Sequence, residues 1–367
     1  MRDRLPSPRR RRLLGLGTGL PLLALAGRTT AATFADVGPA PTDTPFSEGA
    51  TILVAGPDGG AIDQWARLVQ PALARSLALG VGLRRTASGG ADGVTGANRF
   101  DARVPPDGRT VLMAPGETVL AWLVGDPRAK FDVGHWLSVM AGVTPGLVVG
   151  TAGLFAAGGS VRVAASHPLG PDLCALLGIE LGGARAVPVA GIDNREALQT
   201  AFGQHAVDAV LLRGHKVPDQ VKALAAMDVR PIFSLGTWDP SGRFTRPAQF
   251  PDIPTLAEFC AAKNGAPPGG PIFEAWCASA AASQMEFALV LPQLTPAATV
   301  ALWRRAGVET ADALDVQSVA LPLAVHPLGG PAAIAGTAPI AAKEAALLAL
   351  RKWLAERLDW RPATMPS

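Results

Sequence analysis

The stretch Val54-Ala55-Gly56-Pro57-Asp58-Gly59-Gly60-Ala61-Ile62-Asp63 decides how this chain is read. Thr51 to Ala55 is an apolar run of strand length that stops at glycine and proline. Ile62, Trp65, Val69, Leu73 and Leu77 then recur at helical spacing, with Gly80 as the stop. Pro71 falls inside that pattern and is expected to kink the helix or end it early. A strand that runs through glycines straight into a helix has two readings. It is an ordinary connection, or it presents the unpaired N–H groups and partial positive charge of the first helical turn to an anion.

The same junction recurs. Val81 to Arg85 reads as a strand and is followed by Ser88-Gly89-Gly90-Ala91 and a helical pattern. The turn Pro105-Pro106-Asp107-Gly108 leads to a strand over Thr110–Ala114, followed by Pro115-Gly116-Glu117-Thr118. Beyond residue 145, apolar runs fall at Leu147–Gly150, Val161–Ala165, Ala186–Val189, Val207–Leu212 and Val229–Ser234. Helical candidates lie at Pro171–Leu181 and Asn194–Phe202, and residues 263–271 read as a loop. Phe287–Leu291 reads as a strand, Thr295–Ala306 as a helix capped by Thr295, and Leu347 to Leu358 as a closing helix. Strands alternating with helices predict an α/β fold with mostly parallel sheets flanked by helices. In such sheets ligands sit outside the carboxyl ends of the strands, where the three glycine loops fall.

Of the 367 residues, 49% are apolar and 17% charged, enough to bury about two cores and too apolar for a disordered chain. Residues 1–32 read as an export signal: a basic stretch to Arg12, a 14-residue apolar run from Leu13 to Ala26, then small residues to Ala32. The apolar run is short for a membrane span, which takes about 20 residues. Arg10-Arg11-Arg12-Leu13-Leu14 fits a twin-arginine signal as well as the general secretory route. This segment holds seven arginines and one aspartate, so the basic balance of the chain belongs to it. The remainder is mildly acidic, with no nucleic-acid footprint. Residues 33–48 read as a linker. Cys174, Cys260 and Cys277 show no metal spacing; Cys260 and Cys277 are either bridged or buried thiols. The first loop lacks both nucleotide-binding glycine patterns, so no cofactor is expected.

Three segments in order, VAGPDGGAIDQWARLVQPALARSL, RRTASGGADGVTGANRF and ARVPPDGRTVLMAPGETV, resemble the Bug-type receptors of tripartite tricarboxylate transporters. FDVGHWLSVMAGV, Phe250-Pro-Asp-Ile-Pro-Thr-Leu-Ala-Glu258 and the Leu294-Thr-Pro segment extend the likeness over about residues 50–310. The resemblance implies a two-lobed periplasmic binding protein of type II, its lobes joined by two crossover strands. One lobe would span 49–147 plus 280–367 and the other 148–279. It implies a monomer that takes a small organic acid between the lobes and delivers it to a membrane permease, or presents it to a sensor kinase. The residues it points to as ligand-binding are Pro57, Asp58, Gly59, Gly60 and Asp63, then Ser88, Gly89 and Gly90, then Gly116, Glu117 and Thr118. From the second lobe it adds Ser166, His167 and Arg213.

This chain departs from the family pattern at Asp58 and Glu117, where the family has small or hydroxyl residues, and at Leu212, where it often has Asp. A carboxylate facing the cleft would oppose an incoming anion. An acid/base set of Asp63, Asp92, Glu117 and His167 is the enzyme alternative, but no nucleophile elbow or metal motif accompanies it, so no catalysis is expected.

Overall fold

Strand and helix alternate from Ala50 to Leu123 in the computed structural model, which describes residues 46, 49–77, 82–155 and 159–361. The export signal, nearly all of the linker and Gly80 lie outside the described residues. The chain runs β1 (Ala50–Ala55), α1 (Ala61–Ser76), β2 (Leu83–Ser88), α2 (Val94–Arg103), β3 (Thr110–Ala114), α3 (Gly116–Leu123) and β4 (Trp136–Val143). It continues through β5 (Gly146–Thr151), β6 (Ser160–Ala164), α4 (Leu173–Leu181), β7 (Arg185–Val189), α5 (Arg195–Gly203), β8 (Ala209–Arg213), α6 (Val217–Ala225) and β9 (Val229–Ser234). A short hairpin, β10 (Thr237–Trp238) and β11 (Phe244–Thr245), precedes α7 (Leu256–Asn264), α8 (Pro271–Gln284) and β12 (Met285–Pro292). The last elements are α9 (Ala297–Ala311), α10 (Leu314–Ala320), β13 (His326–Gly329), α11 (Gly330–Thr337) and α12 (Glu344–Leu358).

The strands form two main sheets, ordered β13-β4-β12-β3-β1-β2 and β7-β6-β8-β5-β9. Both are mixed rather than mostly parallel. The β2-β1-β3 and β7-β6-β8 portions are parallel, as helical crossovers require. Strands β12, β4, β13, β5 and β9 join antiparallel. Of these, β4, β5, β9 and β12 are the strands whose connections leave one sheet or enter the other.

Helices cover both faces of β1, which explains its continuous apolar run. Ile52 and Val54 pack with Val69 and Leu73 of α1 and with Trp303 of α9. Leu53 and Ala55 pack with Val94 and Phe100 of α2 and Leu120 of α3. In the second sheet, Leu147 and Val149 meet Leu198, Phe202 and Leu224, while Val148 and Leu211 face α4 and α8.

Helix α8 sits where the sheets meet and packs on α3, α4 and α12. Its Trp276 is fully buried, donates from Nε1 to the Cys174 carbonyl at 2.9 Å, and stacks on Phe273 at 5.7 Å. The chain crosses between the sheets at Thr144-Pro145 and again at Gln284-Met285. The two crossings are hydrogen-bonded to each other, the Thr144 amide donating to the Gln284 carbonyl at 2.7 Å.

Several local expectations shift. Helix α1 runs through Pro71, which is exposed, so its missing N–H and its ring face water. Residues 263–264 close α7, and Pro271 opens α8 at its first position, so the expected loop is shorter. Helix α9 starts at Ala297 with Pro296 as its cap residue, and Thr295 makes no capping bond. The Thr295 hydroxyl is buried and has no partner among the described residues. Cys174, Cys260 and Cys277 are free thiols, and burial pushes those of Cys174 and Cys277 up to about 12. A reducing agent is therefore expected to leave the melting temperature unchanged, which calorimetry with and without dithiothreitol checks. A drop would reveal a bridge.

Candidate functional site

The loop between β1 and α1 is held by one buried carboxylate. Asp63 is 1% exposed and sits in the first turn of α1. Its Oδ2 accepts from the Gly59 amide at 3.0 Å and from Arg67 at 2.8 Å, and its Oδ1 accepts from Arg85 of β2. Burial alone would raise this acid's pKa. The Gly59 amide, Arg67 and Arg85 outweigh burial and hold it below the usual carboxylate value. Gly59 itself has φ of +73°, a left-handed turn that suits glycine. Asp63 thus ties the turn, the helix and the neighbouring strand together, and both its oxygens are occupied.

Asp58 points away from the loop interior. Its side chain is 81% exposed and pairs with Arg67 at 2.8 Å. It therefore does not oppose a ligand approaching α1. The N-cap of α1 is Gly60, which has no side chain to cap the first-turn amides. A Cβ placed on Gly60 would stand 2.9 Å from Pro57 Cγ, so the loop is closely folded there.

The second and third loops converge on the same end of the sheet. Ser88 closes β2 and exchanges backbone hydrogen bonds with Gly56. Gly89 takes φ of +98°. Thr118 is buried and donates from Oγ1 to the Asp92 carbonyl at 2.9 Å, which locks the third loop to the second. Helix α3 begins after Pro115, again without a side-chain cap. Gly116 lies so close to α8 that an added Cβ would stand 2.0 Å from the Ala282 carbonyl oxygen and 2.7 Å from that of Met285. Its role is close approach of backbones at the second crossing.

These elements enclose a cavity of about 260 Å³. Pro57, Gly60, Ala61, Ile62 and Trp65 come from the first loop and α1, Ala91 from the second loop, and Pro115 and Glu117 from the third. Met285 and Glu286 of β12 and Arg213 at the end of β8 complete the wall. Arg213 is the member from the second sheet, and it also donates to the Ser283 carbonyl beside the crossing. Among the predicted residues, Pro57, Gly60, Glu117 and Arg213 therefore share one cavity. Asp58, Gly59, Asp63, Ser88, Gly89, Gly90, Gly116 and Thr118 lie around it as loop supports or at the surface.

Ser166 and His167 lie at the end of β6 and outside that lining. The Ser166 hydroxyl donates to the Ile192 carbonyl at 3.0 Å, and the exposed His167 donates its backbone amide to Asp172 at 3.0 Å. Asp172 lies within electrostatic reach of Arg213; burial raises the Asp172 pKa while the His167 amide and Arg213 lower it. Residues 166–172 thus join the wall indirectly, through Arg213. Asp208 is structural: it accepts from the Arg162 guanidinium at 2.6 and 2.9 Å. Among the described residues, no group of three His, Cys, Asp or Glu side chains is placed to hold a metal ion.

Glu286 was missed in the sequence because the strand was read from Phe287. The signal was present: one acid in an otherwise apolar strand, Met285-Glu286-Phe287-Ala288-Leu289-Val290.

The fold is also that of a solved protein. The TctC solute binding protein from Polaromonas is 17% identical, with a TM-score of 0.59 over 82% of this chain and 98% of that one. This chain shares its fold. BugD, a periplasmic binding protein, is 14% identical with a TM-score of 0.45, covering 84% of this chain and 97% of its own. MatC from Rhodopseudomonas palustris, solved with bound malate, is 18% identical with a TM-score of 0.43, covering 83% and 98%. No protein-family model and no curated protein matches the sequence.

Proposed function

We propose that the chain is a periplasmic solute-binding receptor, exported by its first 32 residues, that captures a small organic acid and delivers it to a tripartite tricarboxylate-type permease. The observation that carries this reading is the convergence of two uncapped helix ends, those of α1 and α3, with Arg213 on one small cavity. Each helix start carries roughly half a positive charge and up to four amides without intrahelical acceptors. A carboxylate placed there gains hydrogen bonds without needing an ionic partner, as anions at helix N-termini do. Arg213 comes from the opposite sheet, so a bound anion bridges 49–147 plus 280–367 on one side and 148–279 on the other. The hydrogen-bonded crossings at Thr144 and Gln284 are the natural hinge for closing these two lobes. Receptor function needs no reaction at the site, and the described residues that line it include no Ser, Thr, Cys, Lys or His.

Thermal-shift screening of the purified mature protein against small organic acids tests this. An acid at one hundred times its Kd adds about 2.7 kcal/mol to the folded state, a readily measured rise in melting temperature. Stabilisation by sugars or metal cations alone, with none by any acid, would sink the reading. Gly60→Val puts a branched side chain at the mouth of α1, where Pro57 already crowds the position. It is expected to abolish the acid-induced shift. An undiminished shift in that variant would place the ligand elsewhere.

A further inference from the structure

The charge inside the cavity is not that of a simple anion site. Glu117 and Glu286 both line it, one from α3 and one from β12. Among the described residues, neither makes a hydrogen bond or ion pair. Their neighbours are otherwise well partnered, so this is not a general feature of the loops: Asp63, Asp92 and Asp58 each hold an arginine. Glu286 lies between the buried Met285 and Phe287, at the register shift where β12 pairs with β4, and it lines the cavity there. Burial raises the Glu286 pKa, Arg213 lowers it, and the nearby charge of Glu117 raises it further. The two carboxylates thus feel each other across the cavity.

Arg213 does not cancel them. One guanidinium serves the Ser283 carbonyl and shares its field with Asp172 as well as Glu286. The start of α1 supplies positive potential on another part of the wall, while at α3 the helix start and Glu117 share the first turn. The cavity therefore has a positive sector and a negative one. A dicarboxylate would satisfy the first and be repelled by the second. Two side-chain carboxylates with no third ligating side chain are too few to cage a divalent cation.

We propose that Glu117 and Glu286 form a cation subsite, so that the acid taken by this cavity also carries an ammonium or guanidinium group. The carboxylate of the ligand meets the helix ends and Arg213, and its cationic group lies between the two glutamates. Trp65 lines the same cavity and offers an aromatic wall to that cation. The inference rests on the receptor reading above and names the class of solute within it.

The test is isothermal titration with matched pairs. The twenty standard amino acids and the linear ω-amino acids of two to six carbons are compared with the same skeletons lacking the amine. The tightest binders are expected to carry the amine and to exceed their amine-free counterparts at least tenfold. Glu117→Gln and Glu286→Gln keep shape and remove charge, and each is expected to reduce that ratio several-fold. The double variant should bind the two members of a pair about equally. Amine-free acids that bind as tightly as their amine-bearing partners, with both variants leaving the ratio unchanged, overturn the cation subsite and leave the receptor reading standing. Failure of every acid in both series to bind overturns both.

Discussion

Replacing Asp63 with alanine is expected to lower the stability of the protein by about 3 kcal/mol, because it removes one member of a buried ionic cluster and strands its partners. Arg85 is left one-fifth exposed with its charge unmet by Asp63, and the Gly59 amide loses its acceptor. The damage is not confined to stability. Without it the turn that sets the start of α1 keeps only exposed bonds from the helix, Gln64 to the Gly59 carbonyl at 3.2 Å and Arg67 to Asp58 at 2.8 Å, so Asp63→Ala should also abolish the shift given by any acid. Urea denaturation measures the first effect and a thermal-shift titration the second. A variant that loses stability yet binds acids at full affinity would show that the loop holds its shape without this cluster.

The same cluster sets a pH dependence. The pKa of Asp63 is lower in the folded protein than in the unfolded chain, where it lies near about 4. Its stabilisation is therefore complete above that unfolded value. It is lost as the pH falls through the lower, folded value. Between neutrality and pH 5 the Asp63→Ala variant should be less stable by a constant amount, and the gap should narrow as the pH falls below the unfolded value. Chemical denaturation across pH 2–7 for the two proteins checks the sign.

Gly116→Ala is expected to cost about 1–3 kcal/mol, the range for forcing an extra carbon into a filled space. The obstacle is two backbone carbonyls, at 2.0 and 2.7 Å from the new Cβ, not a movable side chain. Helix α3 must move away from the α8–β12 crossing to make room. That displaces Pro115 and Glu117 from the cavity wall, so acid binding should weaken along with stability. Gly203→Ala is the matching control, since nothing lies within 4 Å of a Cβ there. It should be neutral or slightly stabilising, because alanine restricts the unfolded chain more than glycine does. Equal behaviour of the two variants in a melt would contradict the close approach at Gly116.

Much of the first sheet was legible. The β1 and β3 runs are buried on both faces, and each ends at a glycine or proline, so length, composition and punctuation agree. The helix after β1 was legible because a helical stripe of apolar residues faces the sheet. Helix α8 was not. Pro271 to Gln284 is rich in alanine and buried nearly all round, so it has no polar face and no period to detect. The antiparallel strands β4 and β13 were also hidden. Trp136–Val143 mixes small and large residues, and His326–Gly329 is four residues long with a proline in it.

The site was legible in outline only. Glycine loops show where a backbone is approached closely, but not what approaches. At Gly60 the open side is the cavity, whereas at Gly116 the neighbour is the protein's own crossing. Asp63 and Asp58 look alike in the sequence, yet one is buried in an ion cluster and the other is turned to water. What separates them is Arg85, contributed by β2 from 22 residues away, a pairing that periodicity does not reveal. Glu286 stands out in the sequence as an acid in an apolar strand, but only the fold shows that β12 carries it to the cavity beside α1.

The central claim is that the starts of α1 and α3 grip the acid. Hydrogen–deuterium exchange of the mature protein, with and without the acid that stabilises it most, tests this directly. The predicted result is slowed exchange for amides of residues 59–63 and 116–118, with no change over 195–206. Slowed exchange confined to other segments, with 59–63 and 116–118 unaffected, would contradict it.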